Sequence, residues 1–194
     1  MQKPPAQTSG LIGILALQGS FAEHSATLEK LGVQVKLIRS LADVQDVTAC
    51  ILPGGESTVI MKLLKSTGLD QWLTSSAKAG MSIYGTCAGL IVLANLKLLY
   101  VRVSRNAYGP QLYSFEDQVR WGKEIIPGIF IRAPHIISTG LNVQILATHD
   151  KNPVLVRQKN ILACTFHPEL TQNTKVHEYF CRMANCAKIK TNEY

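Results

Sequence analysis

The sequence is short of several things, and each shortage excludes a class of protein. No apolar run approaches the length needed to cross a bilayer as a helix. Residues 1–10 are polar, contain Pro4 and Pro5, and lack the apolar core of a secretory signal; they read as a flexible tail. The five cysteines, Cys50, Cys87, Cys164, Cys181 and Cys186, are odd in number and irregularly spaced. None forms a Cys-x-x-Cys pair, so neither a disulfide framework nor a zinc site is indicated. A reducing compartment is the simpler reading, and the cytoplasm is the expected location. Lys and Arg outnumber Asp and Glu by 20 to 13, giving a net charge of +7. The basic residues are scattered and not interleaved with aromatics, which disfavours nucleic acid as a partner. A basic patch facing an acidic protein fits as well. No internal repeat and no low-complexity segment breaks the chain.

What remains is a globular pattern, with 46% apolar and 17% charged residues. At 194 residues the chain is large enough for one full core, and residues 11–190 read as a single domain. Residues 11–17, Leu-Ile-Gly-Ile-Leu-Ala-Leu, form a near-continuous apolar run, as in a strand buried on both faces. Residues 22–31 are helical in pattern and stop at Gly32; residues 33–38 give a second strand. Ser40 can cap a short helix through residue 47, and residues 49–52 give a third strand. This β-α-β-α-β rhythm predicts an open α/β fold with a mostly parallel sheet and right-handed crossovers. Further helices are expected after Ser57, over residues 70–79 and from Cys87 to about residue 95. Residues 81–84 and 161–166 read as inner strands, and 98–103 as another strand. Another strand ends at Phe130-Ile131-Arg132. Residues 143–148 and 154–156 form a hairpin turned by Asp150, Lys151 and Asn152, and a terminal helix begins at residue 174 and runs to about 190.

Three stretches carry chemistry. Gly85-Thr86-Cys87-Ala88-Gly89 lies between a predicted strand and a predicted helix, as a Gly-x-Cys-x-Gly turn. It is the thiol analogue of the Gly-x-Ser-x-Gly nucleophile elbow, and it lifts the sulfur above the carboxyl edge of the sheet. A buried, inert cysteine at a strand–helix corner is the competing explanation. Pro53-Gly54-Gly55-Glu56-Ser57-Thr58 follows a strand and precedes a helix. No Gly-Lys-Ser/Thr follows, so it is not a phosphate loop. Its glycines can turn backbone amides toward an oxyanion, and Glu56 can receive an ammonium group. A plain Gly-Gly turn with Ser57 as helix cap explains the same residues. Phe166-His167-Pro168-Glu169 ends the last strand. Pro168 favours extended backbone, which places His167 and Glu169 on one side, so that the carboxylate can orient the imidazole. A satisfied histidine at a strand end is the alternative. Arg105 and Arg132 are each either a carboxylate clamp or a solvated charge, and His135, next to Pro134, reads as structural.

Taken together, Gly-Thr-Cys-Ala-Gly-Leu-Ile, Pro-Gly-Gly-Glu-Ser-Thr and Phe-His-Pro-Glu-Leu-Thr resemble a class I, triad-type glutamine amidotransferase. Leu-Ala-Leu-Gln-Gly near the start, Arg-Asn-Ala-Tyr-Gly at 105–109 and Phe-Ile-Arg-Ala-Pro-His-Ile at 130–136 narrow the resemblance. They are similar to the glutaminase subunits of pyridoxal 5′-phosphate synthase. The resemblance spans residue 12 to the terminal helix. It implies a flavodoxin-like three-layer fold and hydrolysis of L-glutamine to L-glutamate and ammonia, with Cys87 as nucleophile, His167 as base and Glu169 as orienting carboxylate. Gly54, Gly55, Glu56, Arg105, Ile131 and Arg132 would bind glutamine, and the Gly55 and Ala88 amides are the oxyanion candidates. It implies no cofactor and no metal. The implied partner is a (β/α)8 synthase subunit in a large hetero-oligomer, where the ammonia is used for vitamin B6 biosynthesis. Two departures stand out: Pro110 replaces a family arginine, and residues 95–99 make a short loop. A different thiol hydrolase on the same scaffold, or a non-catalytic binding subunit, are the alternatives.

Overall fold

A computed structural model describes residues 10–105 and 114–186. In chain order its elements are β1 (Leu11–Leu15), α1 (Phe21–Lys30), β2 (Val35–Ile38), β3 (Val47–Leu52), α2 (Ser57–Thr67), α3 (Leu69–Lys78), β4 (Ser82–Thr86) and α4 (Ala88–Asn95). There follow β5 (Val101–Ser104), β6 (Ser114–Trp121), β7 (Glu124–Ile131), β8 (His135–Thr139), β9 (Gln144–His149), β10 (Asn152–Gln158), β11 (Ile161–Cys164) and α5 (Lys175–Met183).

The main sheet has nine strands in the order β2-β1-β3-β4-β11-β10-β9-β6-β7. From β2 to β11 every neighbour is parallel; from β11 to β7 every neighbour is antiparallel. The apolar runs explain the parallel part. Side chains alternate across a strand, so a run of apolar residues feeds both faces. Ile12, Ile14, Ala49, Ile51, Tyr84 and Leu162 pack with Leu28 of α1 and Val176 and Phe180 of α5. Leu15, Cys50, Leu52, Ile83 and Ala163 pack on the other face with α2, α3 and α4. Two cores on one sheet make the three layers expected from the β-α rhythm. The hairpin of β9 and β10 is also where it was predicted.

Several boundaries differ, for local reasons. The helix expected over 40–47 is one 3-10 turn, Leu41–Asp43. The Asp43 carboxylate accepts from the Arg39 and Ser40 amides and the Ser40 hydroxyl, which closes the turn at once. Asp46, at φ 65°, then turns the chain away, and β3 starts at Val47. The first strand stops at Leu15 rather than residue 17. The strand expected over 98–103 is Val101–Ser104, and it leaves the main sheet to pair with β8. The β6 strand was not anticipated. It is Ser-Phe-Glu-Asp-Gln-Val-Arg-Trp, mostly exposed, and charges hide its period; Pro127 similarly hides the middle of β7. The helix cap before α2 is Glu56, whose carboxylate accepts from the Thr58 amide, and not Ser57. The terminal helix, expected to run to about residue 190, ends at Met183, and Asn185 at φ 53° turns the chain out of it. Residues 1–9, most of the Arg-Asn-Ala-Tyr-Gly stretch and Pro110 lie outside the described residues.

Candidate active site

The site grows from the junction of β4 and α4. Cys87 sits at φ 46° and ψ −103°, a conformation that L residues avoid. Such strain is retained only where surrounding structure enforces it. Gly89 does so from one side: a Cβ there would lie 2.2 Å from the Leu52 carbonyl oxygen. The Cys87 amide does so from the other, donating to the Cys164 carbonyl of β11 at 2.9 Å. Because Thr86 is in register with Cys164, the two parallel strands deliver Cys87 and His167 side by side.

His167 follows β11, and its amide donates to the Ile129 carbonyl of β7 at 2.8 Å. Pro168–Leu170 is a 3-10 turn, so the extended backbone expected across Pro168 is not formed. Proline is well tolerated in the first turn of a helix, where its missing N–H costs nothing. The turn curls Glu169 behind the imidazole instead. His167 Nδ1–H donates to Glu169 Oε1 at 2.7 Å, and the Ser20 hydroxyl donates to the same oxygen at 2.7 Å. Cys87, His167 and Glu169 are all buried, and Cys87 Sγ lies 3.8 Å from the Ile131 carbonyl oxygen.

Burial opposes protonation of His167, but hydrogen bonds to Cys87 and Glu169, with the carboxylate charge, outweigh it and raise the ring to about 10. Burial likewise opposes ionisation of Glu169. The His24 ring, the His167 hydrogen bond and the Ser20 hydroxyl overcome that and bring the carboxyl to about 2. A fixed carboxylate behind a strongly basic imidazole suits proton transfer from a thiol and, later, to a leaving group.

Cys87 and His167 open onto a cleft of about 280 Å³, at the small end of the range for ligand sites. Gly54, Gly55, Glu56, Ala88, Arg105, Ile131 and Arg132 line it. All the residues singled out in the sequence are thus brought together, with Glu169 just behind the wall. Ile131 and Arg132 arrive from the end of β7, where Arg132 adopts φ 44°. Glu56 Oε1 caps α2 through the Thr58 amide and hydroxyl. Those bonds chiefly, with Arg132 and Arg105 nearby, hold Glu56 below the usual carboxylate range. Among the described residues the Gly55 and Ala88 amides have no hydrogen-bond partner. Ala88 N–H opens the first turn of α4, where backbone donors are free. His135 is half-buried at the start of β8, paired with Ser104, and does not line the cleft. No group of three His, Cys, Asp or Glu side chains among the described residues is arranged to hold a metal.

Other supports escaped the sequence reading. The Thr86 hydroxyl accepts from the Gly54 amide at 2.9 Å, the Ser20 amide donates to the Gly54 carbonyl at 3.1 Å, and Gln18 Oε1 accepts from the Glu56 amide at 2.7 Å. Together they fix the glycine loop. The signal was that Gln18 and Thr86 lie inside quoted motifs and Ser20 follows one, with no role assigned to any of them.

The chain matches the model of the SNO glutamine amidotransferase family over residues 14–186. It is 43% identical over 183 residues to "Pyridoxal 5'-phosphate synthase subunit PdxT" of Thermosipho africanus, covering 89% of this chain and 97% of that protein. It is 46% identical over 184 residues to the protein of the same name from Thermotoga maritima, covering 89% and 98%. Among solved structures, a glutamine amidotransferase crystal structure superposes with a TM-score of 0.86 at 40% identity, over 91% of this chain and all of that one. PurLQS from Thermotoga maritima superposes at a TM-score of 0.75 with 15% identity, a likeness of fold alone.

Proposed function

This chain belongs to the SNO glutamine amidotransferase family, and on that footing we propose that it is the glutaminase subunit of a pyridoxal 5′-phosphate synthase, with Cys87, His167 and Glu169 as its triad. The observation that carries the assignment of residues is the delivery of Cys87 and His167 by adjacent parallel strands onto one cleft, with Glu169 bonded behind the imidazole.

The chemistry follows from those positions. The substrate's α-carboxylate meets Arg105 and Arg132, and its ammonium meets Glu56. Cys87 Sγ attacks the side-chain amide carbon as a thiolate, its proton already held on His167 Nε2, the nitrogen not engaged by Glu169. The Gly55 and Ala88 amides stabilise the oxyanion, a contribution of several kcal/mol for well-aimed donors. His167 Nε2–H then protonates the departing nitrogen, which leaves as ammonia. Water, deprotonated by the same ring, hydrolyses the thioester to glutamate and restores the thiol.

The reading extends to a (β/α)8 synthase subunit that consumes the ammonia, a large hetero-oligomer, and the cytoplasm as location. Among the described residues no helix is long and apolar enough to cross a membrane. It also extends to gating, because the consecutive glycines 54 and 55 are easily misaligned until a partner docks. Ammonia release from saturating glutamine is expected to rise at least about tenfold on adding the synthase subunit, a gain of roughly 1.4 kcal/mol in barrier. Equal rates for the free and complexed chain would overturn the gating, and no ammonia in either case would overturn the function.

A further inference from the structure

Behind the catalytic carboxylate lies a buried polar cluster that the chemistry above leaves unused. His24 of α1 and His177 of α5 are fully inaccessible. His24 Nδ1 is 2.9 Å from His177 Nε2. His24 Nε2 is 3.1 Å from the Thr86 hydroxyl and 3.6 Å from Glu169 Oε1. The same Thr86 oxygen accepts the Gly54 amide of the glycine loop. Tyr84 of β4 meets both imidazoles edge to face, at 6.0 and 5.9 Å between ring centres. Two buried atoms of the cluster, Glu169 Oε2 and His177 Nδ1, have no hydrogen-bond partner among the described residues.

Hydrogen-bond direction in the cluster is decided by charge. A carboxylate accepts only, so the His24 nitrogen nearest to it carries the proton, and Nε2–H points at Thr86 Oγ1 and Glu169 Oε1. Neutral His24 then accepts at Nδ1 from His177 Nε2–H. That leaves His177 Nδ1 as a bare lone pair, matching the partnerless atom observed. Burial keeps both rings neutral: it lowers His24 and, with His24 beside it, brings His177 to about 3. The chain His177→His24→Glu169 therefore aims two N–H dipoles at the carboxylate without placing a competing cation there. Other groups facing the pair are His167, Ser20, Glu23, Tyr84 and Cys164.

We propose that His24, backed by His177, is a positioning residue for glutamine hydrolysis: it holds Glu169 as an oriented carboxylate and, through Thr86, fixes the glycine loop carrying the candidate oxyanion donor Gly55. One imidazole thereby couples the orienting arm and the oxyanion arm of the site. The proposal rests on the triad reading above.

The test is steady-state ammonia release, read as kcat and KM for glutamine, by the chain with its synthase subunit, for Cys87→Ala, His24→Leu, His24→Gln, Thr86→Val and Thr86→Ser. Glutamine can place its amide N–H near the former Nε2, whereas leucine cannot. His24→Leu should lower kcat about tenfold to a hundredfold with KM changed less than about threefold, as when a partner behind a working imidazole is removed. His24→Gln should recover most of kcat, and Thr86→Ser should exceed Thr86→Val by about tenfold. Rates that fall only with the folded fraction measured by thermal melting, a KM that rises as much as kcat falls, or equal loss in leucine and glutamine variants would each overturn the proposal. If His24→Leu fails to fold, the Thr86 pair and the kcat and KM of His24→Gln decide. An active Cys87→Ala would instead sink the triad reading itself.

Discussion

Gly54→Ala offers a sharp test of the site, because the clash it makes has a known size. A Cβ at residue 54 would lie 2.3 Å from His167 Cε1, 3.0 Å from Nδ1 and 3.3 Å from Cys87 Cβ. Carbon atoms pack comfortably at about 3.5 Å or more, so roughly 1 Å of movement is needed. The imidazole cannot simply swing aside, since Glu169 holds Nδ1 at 2.7 Å. Nor can the loop retreat freely, since Thr86 holds the Gly54 amide and the Ser20 amide holds its carbonyl. A misplacement of about 1 Å among catalytic groups costs on the order of a hundredfold in rate, and overpacking costs about 1–3 kcal/mol of stability. Gly55→Ala is the comparison. Its Cβ meets the end of the Gln18 side chain at 2.5 Å, and that flexible amide can rotate away at the cost of its one bond to the Glu56 amide. Glutaminase kcat/KM and melting temperature should be measured for both, with the synthase subunit present. Gly54→Ala should lose about a hundredfold and Gly55→Ala several times less. A Gly54→Ala protein within about threefold of the native rate, with an unchanged melt, would show that the loop and the base are not in contact in the working enzyme.

Cys87→Ala should abolish ammonia release while leaving the melt near native. Iodoacetamide should modify about one thiol per native chain, because Cys87 alone among the five lines the cleft and burial pushes the Cys50, Cys164, Cys181 and Cys186 thiols up; fast labelling of two or more would contradict this. His167→Asn should cost far more than Glu169→Gln, by roughly an order of magnitude or more in kcat, since the ring moves the protons and the carboxylate only aims it. A single-turnover comparison in which Glu169→Gln is the worse would reverse those roles. Stability should peak near pH 6.5. Below it the unfolded chain protonates His24 and His177 while the fold resists, His177 down to about 3, so the stability they give above pH 6.5 is lost as pH falls. The slope approaches about 1.4 kcal/mol per pH unit for each ring. Glu169, lowered to about 2, adds its own loss only below its unfolded value of 4.5. His167 works on the other side: raised to about 10, it gives stability that is complete below 6.5 and lost as pH rises toward 10. Urea unfolding at pH 7, 6 and 5 would refute this if the free energy stayed flat.

The parallel half of the fold was legible because its strands carry their signal in composition: Leu11 to Leu15 and Val47 to Leu52 are apolar on both faces. The antiparallel half was not, because β6 buries almost only Val119 and wears charge elsewhere. The triad was legible as motifs, yet the reason offered for the His167–Glu169 pair was mistaken. Proline extends the residue before it, but Pro168 itself opens a helical turn, and it is the turn that brings the carboxylate back. His24 and His177 were invisible for another reason. Each sits on the apolar face of its helix beside residues such as Leu28 and Phe180, and only the packing of α1 against α5 across β4 shows that they meet. Spacing along a chain carries no record of pairs formed between helices 153 residues apart.

Because Cys87 and His167 are carried by neighbouring strands, the alignment Leu162↔Tyr84, Ala163↔Gly85, Cys164↔Thr86 sets the distance between nucleophile and base. A slip of one residue between β4 and β11 would shift the pair by about 3.3 Å along the strand and turn every side chain to the opposite face. A misregistered molecule could keep its secondary structure, much of its compactness and its circular dichroism, and still be catalytically dead. Turnover therefore counts correctly threaded molecules, and the ratio of active sites to folded protein becomes a gauge of assembly fidelity in refolding or expression that spectroscopy does not provide.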